Sequence, residues 1–162
     1  MACGKTTLGK KVAWENGYIF VDLDEYIENN TQKSIPFIFQ NVGENEFRTI
    51  ERNCLNALIA EYTSSQVKVI IACGGGTPCF FDNHARMQEV GISIYLQENP
   101  SILAQRLLQL QSTRPLLQSL NETELHSFVD GLLRERAQFY TQAHKILFSP
   151  SAQALAEYLS VF

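Results

Sequence analysis

No run among the 162 residues reaches about eighteen consecutive apolar positions, which excludes a membrane-spanning helix. The chain does not open with a basic segment and apolar core of the signal-peptide kind. Basic residues are few, 13 against 17 acidic, for a net charge of −4. There is thus no polybasic surface to hold nucleic acid or an anionic membrane, and an anionic ligand must be held by a few placed cations. Cysteine is confined to Cys3, Cys54, Cys73 and Cys79, with no C-x-x-C pair and no histidines at metal-ligand spacing. That argues against both a zinc site and a disulfide framework, and for a reducing, cytoplasmic setting. Internal repeats, linkers and low-complexity stretches are also lacking, and 45% hydrophobic content over this length suits one well-cored domain, residues 1–162.

What is present begins at once. Gly4-Lys5-Thr6 reads as the end of a phosphate-binding loop, with a helix from Thr6 to Asn16 and an inner stripe of Leu8, Val12 and Ala13. Backbone N–H groups at a helix start face an anion, a lysine neutralises phosphates and a hydroxyl reaches Mg2+. Only half of the pattern G-x-x-x-x-G-K-[ST] is there, because its first glycine would stand five positions before Gly4. By itself the tripeptide more often marks a plain N-terminal helix, and the downstream residues must decide.

Gly17 is placed to cap that helix, and YIFVDLD reads as a strand carrying Asp22 and Asp24 at its carboxyl end, where ligands of open α/β sheets lie. Asp22 suits Mg2+, directly or through water, and Asp24 suits a hydroxyl proton; the plain alternative is that Asp24 caps the helix beginning at Glu25. Ser34 predicts the start of a short helix, followed by a longer one from about Glu44 to Tyr62. On the latter, Glu44, Arg48 and Glu51 fall at i−4, i and i+3, so two carboxylates can grip one guanidinium, although such triples are commonly solvated faces. The apolar segment VKVIIAC predicts a parallel strand covered on both faces, and it ends in Gly74-Gly75-Gly76, whose backbone can approach a ligand closely.

A helix over about Asp82 to Val90, a strand ISIYL and a helix opened by Asn99-Pro100 continue the βα alternation. The polar, proline-broken segment around 111–121 has the profile of a lid, with Arg114 as its cation. Asn121 and Glu124 form a capping-box pattern for a long helix whose apolar stripe includes Arg136, a charge that needs an anionic partner. Strand KILF, a turn at Ser149-Pro150-Ser151 and a last helix close the chain, and His84, His126 and His144 are assigned no chemistry.

Six segments together resemble the shikimate kinase family over essentially the whole chain: GKTTLGKKVA, FVDLDEYIE, SIPFIFQNVGENEFRTIE, CGGGT, TRPLL and ERAQFY, in the family's order and spacing. The resemblance implies a three-layer α/β P-loop kinase fold with a parallel sheet and a lid. It also implies ATP-dependent phosphorylation of the 3-hydroxyl of shikimate, in aromatic amino acid biosynthesis. By resemblance, Ala2, Cys3, Gly4, Lys5, Thr6 and Thr7 form the phosphate loop, with Lys5 on the phosphates and Thr6 and Asp22 toward Mg2+. Asp24 then binds ring hydroxyls and accepts the proton, Arg48 and Arg136 hold the shikimate carboxylate, and Gly75 offers a backbone donor. Glu51 orients Arg48, Phe47 walls the pocket, Arg114 reaches ATP, and the 149–151 turn lies near the adenine. Shikimate and ATP are the implied partners of a monomer, with no nucleic acid and no membrane. The alternatives are a related small-metabolite kinase such as a gluconate kinase, or a non-catalytic shikimate-binding relic.

Two departures from the family pattern stand out. Ala2 replaces a common glycine, and the family's first strand, the middle one in the order 2-3-1-4-5, is absent from the sequence. The expectation is a gap of about two strand spacings, roughly 9 to 10 Å, between strands that should both pair with it. Met1 is accordingly expected to be a misplaced start or an artificial boundary.

Overall fold

A computed structural model describes residues 2–65, 67–110 and 120–162. Helix α1 (Lys5–Asn16) starts from Gly4 and ends on Gly17, whose left-handed conformation returns its N–H to the Ala13 carbonyl. Strand β1 (Ile19–Asp22) leads into α2 (Leu23–Thr31), and α3 (Ile35–Thr63) follows with Ser34 as its side-chain cap. Gly43, at φ 80° and ψ 175°, breaks α3 into the short and long helices expected from the sequence. Strand β2 (Val69–Ala72), a single 3-10 turn (Thr77–Cys79) and α4 (Asn83–Val90) come next. After them run β3 (Ile94–Gln97), α5 (Pro100–Gln109), α6 (Glu122–Tyr140), β4 (Lys145–Phe148) and α7 (Ala152–Leu159). The α6 capping box is formed as expected: the Asn121 side chain accepts from Glu124 N–H at 3.0 Å, and the Glu124 carboxylate accepts from Asn121 N–H at 2.9 Å.

Parallel neighbours require a helical crossover, and each pair here has one. The described strands form two separate parallel pairs, β1 with β2 (Ile19 opposite Val69) and β3 with β4 (Ile94 opposite Lys145). In the family's order these are the 2-3 and 4-5 halves, and the expected gap lies between them. Alternation along the strands sends side chains to two helical layers. Val21 and Ile71 pack with Leu23, Ile27, Leu55 and Leu58 on one face, while Ile70, Ile94 and Leu147 pack with Val12 of α1 and Leu155 of α7 on the other. A third cluster joins α5 to α6 through Leu103, Leu107, Leu125 and Val129, and touches Ala2 and Cys3.

The β2 segment reads as a strand buried on both faces, yet Val69, Ile70 and Ile71 are only half-buried, as are all four residues of β3. The reason is an open cavity of about 890 Å3 that runs along the facing edges of β2 and β3 and continues to the phosphate loop. No described strand pairs with those two edges.

Candidate active site

The phosphate loop passes into α1 with Ala2 at φ 51° and Gly4 at φ 88°. Both lie in the left-handed region that glycine enters most readily, so Ala2 carries strain at the position where the family commonly has glycine. Its carbonyl accepts from Arg106 Nη1 at 3.1 Å, and Arg106 is itself held by the buried Glu98 at 3.3 Å. This brace went unseen in the sequence because Glu98 and Arg106 lie eight apart and straddle a helix start, a spacing that no periodic pattern marks.

Lys5 and Thr6 converge on the end of β1. The Thr6 hydroxyl donates to Asp22 Oδ2 at 2.7 Å, and Lys5 Nζ lies 3.5 Å from that oxygen and 3.7 Å from Asp24 Oδ2. Two sequence expectations are corrected here. β1 ends at Asp22, so Asp24 is in the first turn of α2 and not at the strand end; and the helix cap is Asp22, whose Oδ1 accepts from Asp24 N–H at 3.0 Å. The chain turns a residue pair earlier than the apolar pattern suggests because the Asp22 side chain satisfies the helix start itself. Burial would raise the Asp22 carboxyl, but the Thr6 hydroxyl, Lys5 and the Asp24 N–H outweigh it and hold it below the usual range. Asp24 moves the other way: burial raises it against Lys5, with Asp22, Glu51 and Glu28 adding repulsion. Two neighbouring aspartates thus differ in proton affinity.

Across from them, Arg48 is 8% exposed and gripped by both glutamates of its helix. Nη1 donates to Glu51 at 2.9 Å, while Nη2 and Nε donate to Glu44 at 2.9 and 3.2 Å. Arg48 and Glu51 are therefore a buried ion pair rather than part of a solvated face, with Glu44 at its half-exposed rim. Glu51, 1% exposed, accepts through its other oxygen from Thr77 Oγ1 at 2.7 Å, and the Thr77 carbonyl accepts from Asn83 Nδ2 at 2.9 Å. The Phe80 ring centre is 4.2 Å from Arg48 Cζ and that of Phe47 5.1 Å, so aromatic faces line the guanidinium. Gly76 lies against it so closely that an added Cβ would fall 2.6 Å from Nη2. A Cβ on Gly74 would meet both Glu51 and Asp24, at 3.3 and 3.4 Å. The glycine run thus joins the arginine side to the aspartate side.

From α6, Tyr140 donates its hydroxyl to the Gly75 carbonyl at 2.6 Å and stacks on Tyr95 at 4.7 Å. Burial raises the Tyr140 phenol, and a hydrogen bond with Arg136 acts in the opposite sense. Burial raises the Cys79 thiol, and Arg136 and Arg48 both act on it in the opposite sense, so both guanidiniums lie within electrostatic reach of it. Ala2 to Thr7, Asp24, Gly75 and Arg136 all line the same cavity. Burial foremost, with Glu51 beside it, pushes the neighbouring Cys73 up to about 12, so it stays a neutral thiol. Arg114 and most of the 111–121 lid segment lie outside the described residues.

A family model described as "Shikimate kinase" matches residues 1–161. The chain belongs to the shikimate kinase family. The shikimate kinase of Bacteroides fragilis is 42% identical over 146 residues, covering 90% of this chain and 79% of the relative. Among solved structures, shikimate kinase from Bacteroides thetaiotaomicron superposes with a TM-score of 0.85 at 36% identity, covering 99% of this chain and 94% of the other. Shikimate kinase from Acinetobacter baumannii in complex with shikimate gives 0.83 at 32% identity, covering 99% and 86%. For a shikimate kinase, the residues that local sequence patterns missed are Thr77, Asn83, Phe80, Arg106 and the hydroxyl of Tyr140. Most of their contacts join segments far apart in the chain, such as Tyr140 to Gly75 across 65 positions.

Proposed function

We propose that this chain transfers the γ-phosphoryl group of ATP to the 3-hydroxyl of shikimate, the reaction of its family, in the route to aromatic amino acids. The observation that carries the reading is the opposition of two prepared ends. A phosphate loop with Lys5, Thr6 and Asp22 stands at one end, a caged and buried Arg48 at the other, and Asp24 and the glycine run lie between them.

The ring carboxylate takes Arg48 and Arg136, which fixes the ring by charge-assisted bonds. The ring hydroxyls then face Asp24 and the Gly75 backbone. Asp24 accepts the proton of the attacking hydroxyl, and its raised proton affinity suits that step. Lys5 leaves its two aspartates for the phosphate oxygens and neutralises developing charge, so catalysis is mainly positioning and electrostatics. The Thr6 hydroxyl and Asp22 carboxylate, 2.7 Å apart, are hard oxygen donors that fit Mg2+. Among the described residues no cluster of three or more His, Cys, Asp or Glu stands at metal distance. Thr6 and Asp22 would hold the ion, which would supply charge neutralisation for the phosphoryl transfer. Arg114, in the 111–121 lid, enters by resemblance as the cation closing over ATP. A reducing, cytoplasmic setting suits the four cysteines, which show no paired spacing.

The test is ATP-dependent phosphorylation with shikimate and with gluconate as acceptors, the product position being assigned by 31P-coupled NMR. The 3-phosphate of shikimate is the expected product. Faster turnover of gluconate would move the reading to another small-metabolite kinase, and calorimetric shikimate binding without product would move it to a binding protein.

A further inference from the structure

Glu44 is the first residue beyond the Gly43 break in α3, and its carboxylate lies on the edge of Arg48 that presents two adjacent N–H donors, Nε and Nη2. We propose that Glu44 is a placeholder for the substrate carboxylate: it occupies the Nε–Nη2 edge of Arg48 in the empty site, and only a ligand bearing a carboxylate displaces it. This rests on the reading of Arg48 as a carboxylate site.

The first support is the access left to the guanidinium. A Cβ on Gly76 would lie 2.6 and 2.7 Å from Nη2 and Nη1 and 2.8 Å from Cζ, which sets Gly76 obliquely against the Nη1–Nη2 end of the guanidinium. Phe80 and Phe47 supply aromatic contact, and Nη1 is held by Glu51. A ligand therefore meets Arg48 along an edge, and the edge that suits a two-oxygen ligand is the one Glu44 holds. Glu44 holds it with a single oxygen, Oε1, shared between both donors. A carboxylate placing one oxygen on each nitrogen makes the better, bidentate contact.

Charge gives the second support. One guanidinium between two carboxylates is already over-compensated, and even with Arg136 beside it a third carboxylate would set three negative charges against two positive ones. One must leave, and the two are not equal. Glu51 is buried and bound to Thr77, whereas the Glu44 side chain is 52% exposed and, among the described residues, bonds only Arg48. Release of Glu44 into water opens no buried charge, and the Gly43 break beside it allows the movement, since glycine tolerates backbone conformations closed to other residues.

The consequence is selectivity. A ligand without a carboxylate leaves Glu44 in place and gains nothing from Arg48. Shikimate must first displace a half-exposed ion pair, a competition worth about 2- to 5-fold in affinity.

The experiment is calorimetric titration of shikimate, and of its analogue with hydroxymethyl in place of the carboxylate, into the parent chain, Glu44→Gln, Glu44→Ala and Arg48→Lys. Circular dichroism checks each variant's fold. Both Glu44 variants should bind shikimate about 2- to 5-fold tighter, with KM for shikimate falling in parallel, while affinity for the analogue stays unchanged. Weaker or unchanged shikimate binding in the Glu44 variants, with Arg48→Lys still losing affinity, would overturn the placeholder and leave the carboxylate site standing. Undiminished shikimate binding in a folded Arg48→Lys would overturn the carboxylate site and the placeholder with it.

Discussion

Asp24 is the residue on which chemistry and stability pull in opposite directions. Burial, assisted by Asp22, Glu51 and Glu28 and opposed by Lys5, raises its pKa in the fold. A group raised in this way favours the folded state while protonated; its contribution is complete below the unfolded pKa and lost as pH rises through the folded value. The ionised form that the proposed proton-accepting role requires is thus the form the fold disfavours. Asp24→Asn, a permanent mimic of the protonated acid, should lower kcat by about 10² to 10⁴ while ATP still binds. It should also melt at a higher temperature than the parent at pH 7, with the difference vanishing near about pH 3, where the parent carboxyl is protonated in both states. Scanning calorimetry at the two pH values beside steady-state kinetics checks both arms, and near-parent kcat would reduce Asp24 to a structural residue. Gly76 invites an equally local test. With no room for a Cβ beside Arg48, Gly76→Ala must push the guanidinium aside. KM for shikimate should rise about 10- to 100-fold, KM for ATP staying near the parent value, because displacements near 1 Å are costly in a positioned site.

At the scale of elements, α6 delivers Arg136 and Tyr140 from an otherwise apolar stripe, and the Tyr140 bond to Gly75 ties the helix to the glycine run. Arg136→Ala should weaken shikimate binding by about 2 to 5 kcal/mol and leave ATP binding nearly untouched, which titration of each ligand measures. Helix boundaries were legible in the sequence because capping is local: Gly17, Ser34, Asn99 and the Asn121–Glu124 pair each act within a few residues of themselves. The start of α2 was misplaced for a related reason, since Asp22 and Asp24 are both competent caps and apolar periodicity does not rank them. The site was legible wherever its residues share a helix or a loop, as Arg48 and Glu51 do. The Thr77 clamp on Glu51 spans 26 positions and was invisible to any local pattern.

At the scale of the whole molecule, two βα halves each hold one parallel pair, and the facing edges of β2 and β3 look across a cavity of about 890 Å3. Backbone groups along a parallel strand need partners on both sides, and apolar side chains there need cover. Val69, Ile70 and Ile71 on one edge and Ile94, Tyr95 and Leu96 on the other are only half-buried for want of it. An apolar strand of five or six residues set between them would make roughly ten ladder hydrogen bonds. At about 0.5 to 1.5 kcal/mol net each, their sum is of the order of a domain's whole stability, about 5 to 15 kcal/mol. The same strand would lead directly into the loop at Ala2, whose left-handed backbone is now braced from outside by Arg106. Joining about ten residues upstream of Met1, an apolar strand ending in a glycine five positions before Gly4, should therefore convert a broad, weakly cooperative melt into a sharp one. Shikimate phosphorylation should rise with it, because the phosphate loop would then spring from a fixed strand. Calorimetry and kinetics on the two lengths decide the matter: a 162-residue chain that already unfolds cooperatively and equals the longer form in kcat would mean that the two halves are held in register by their helices alone.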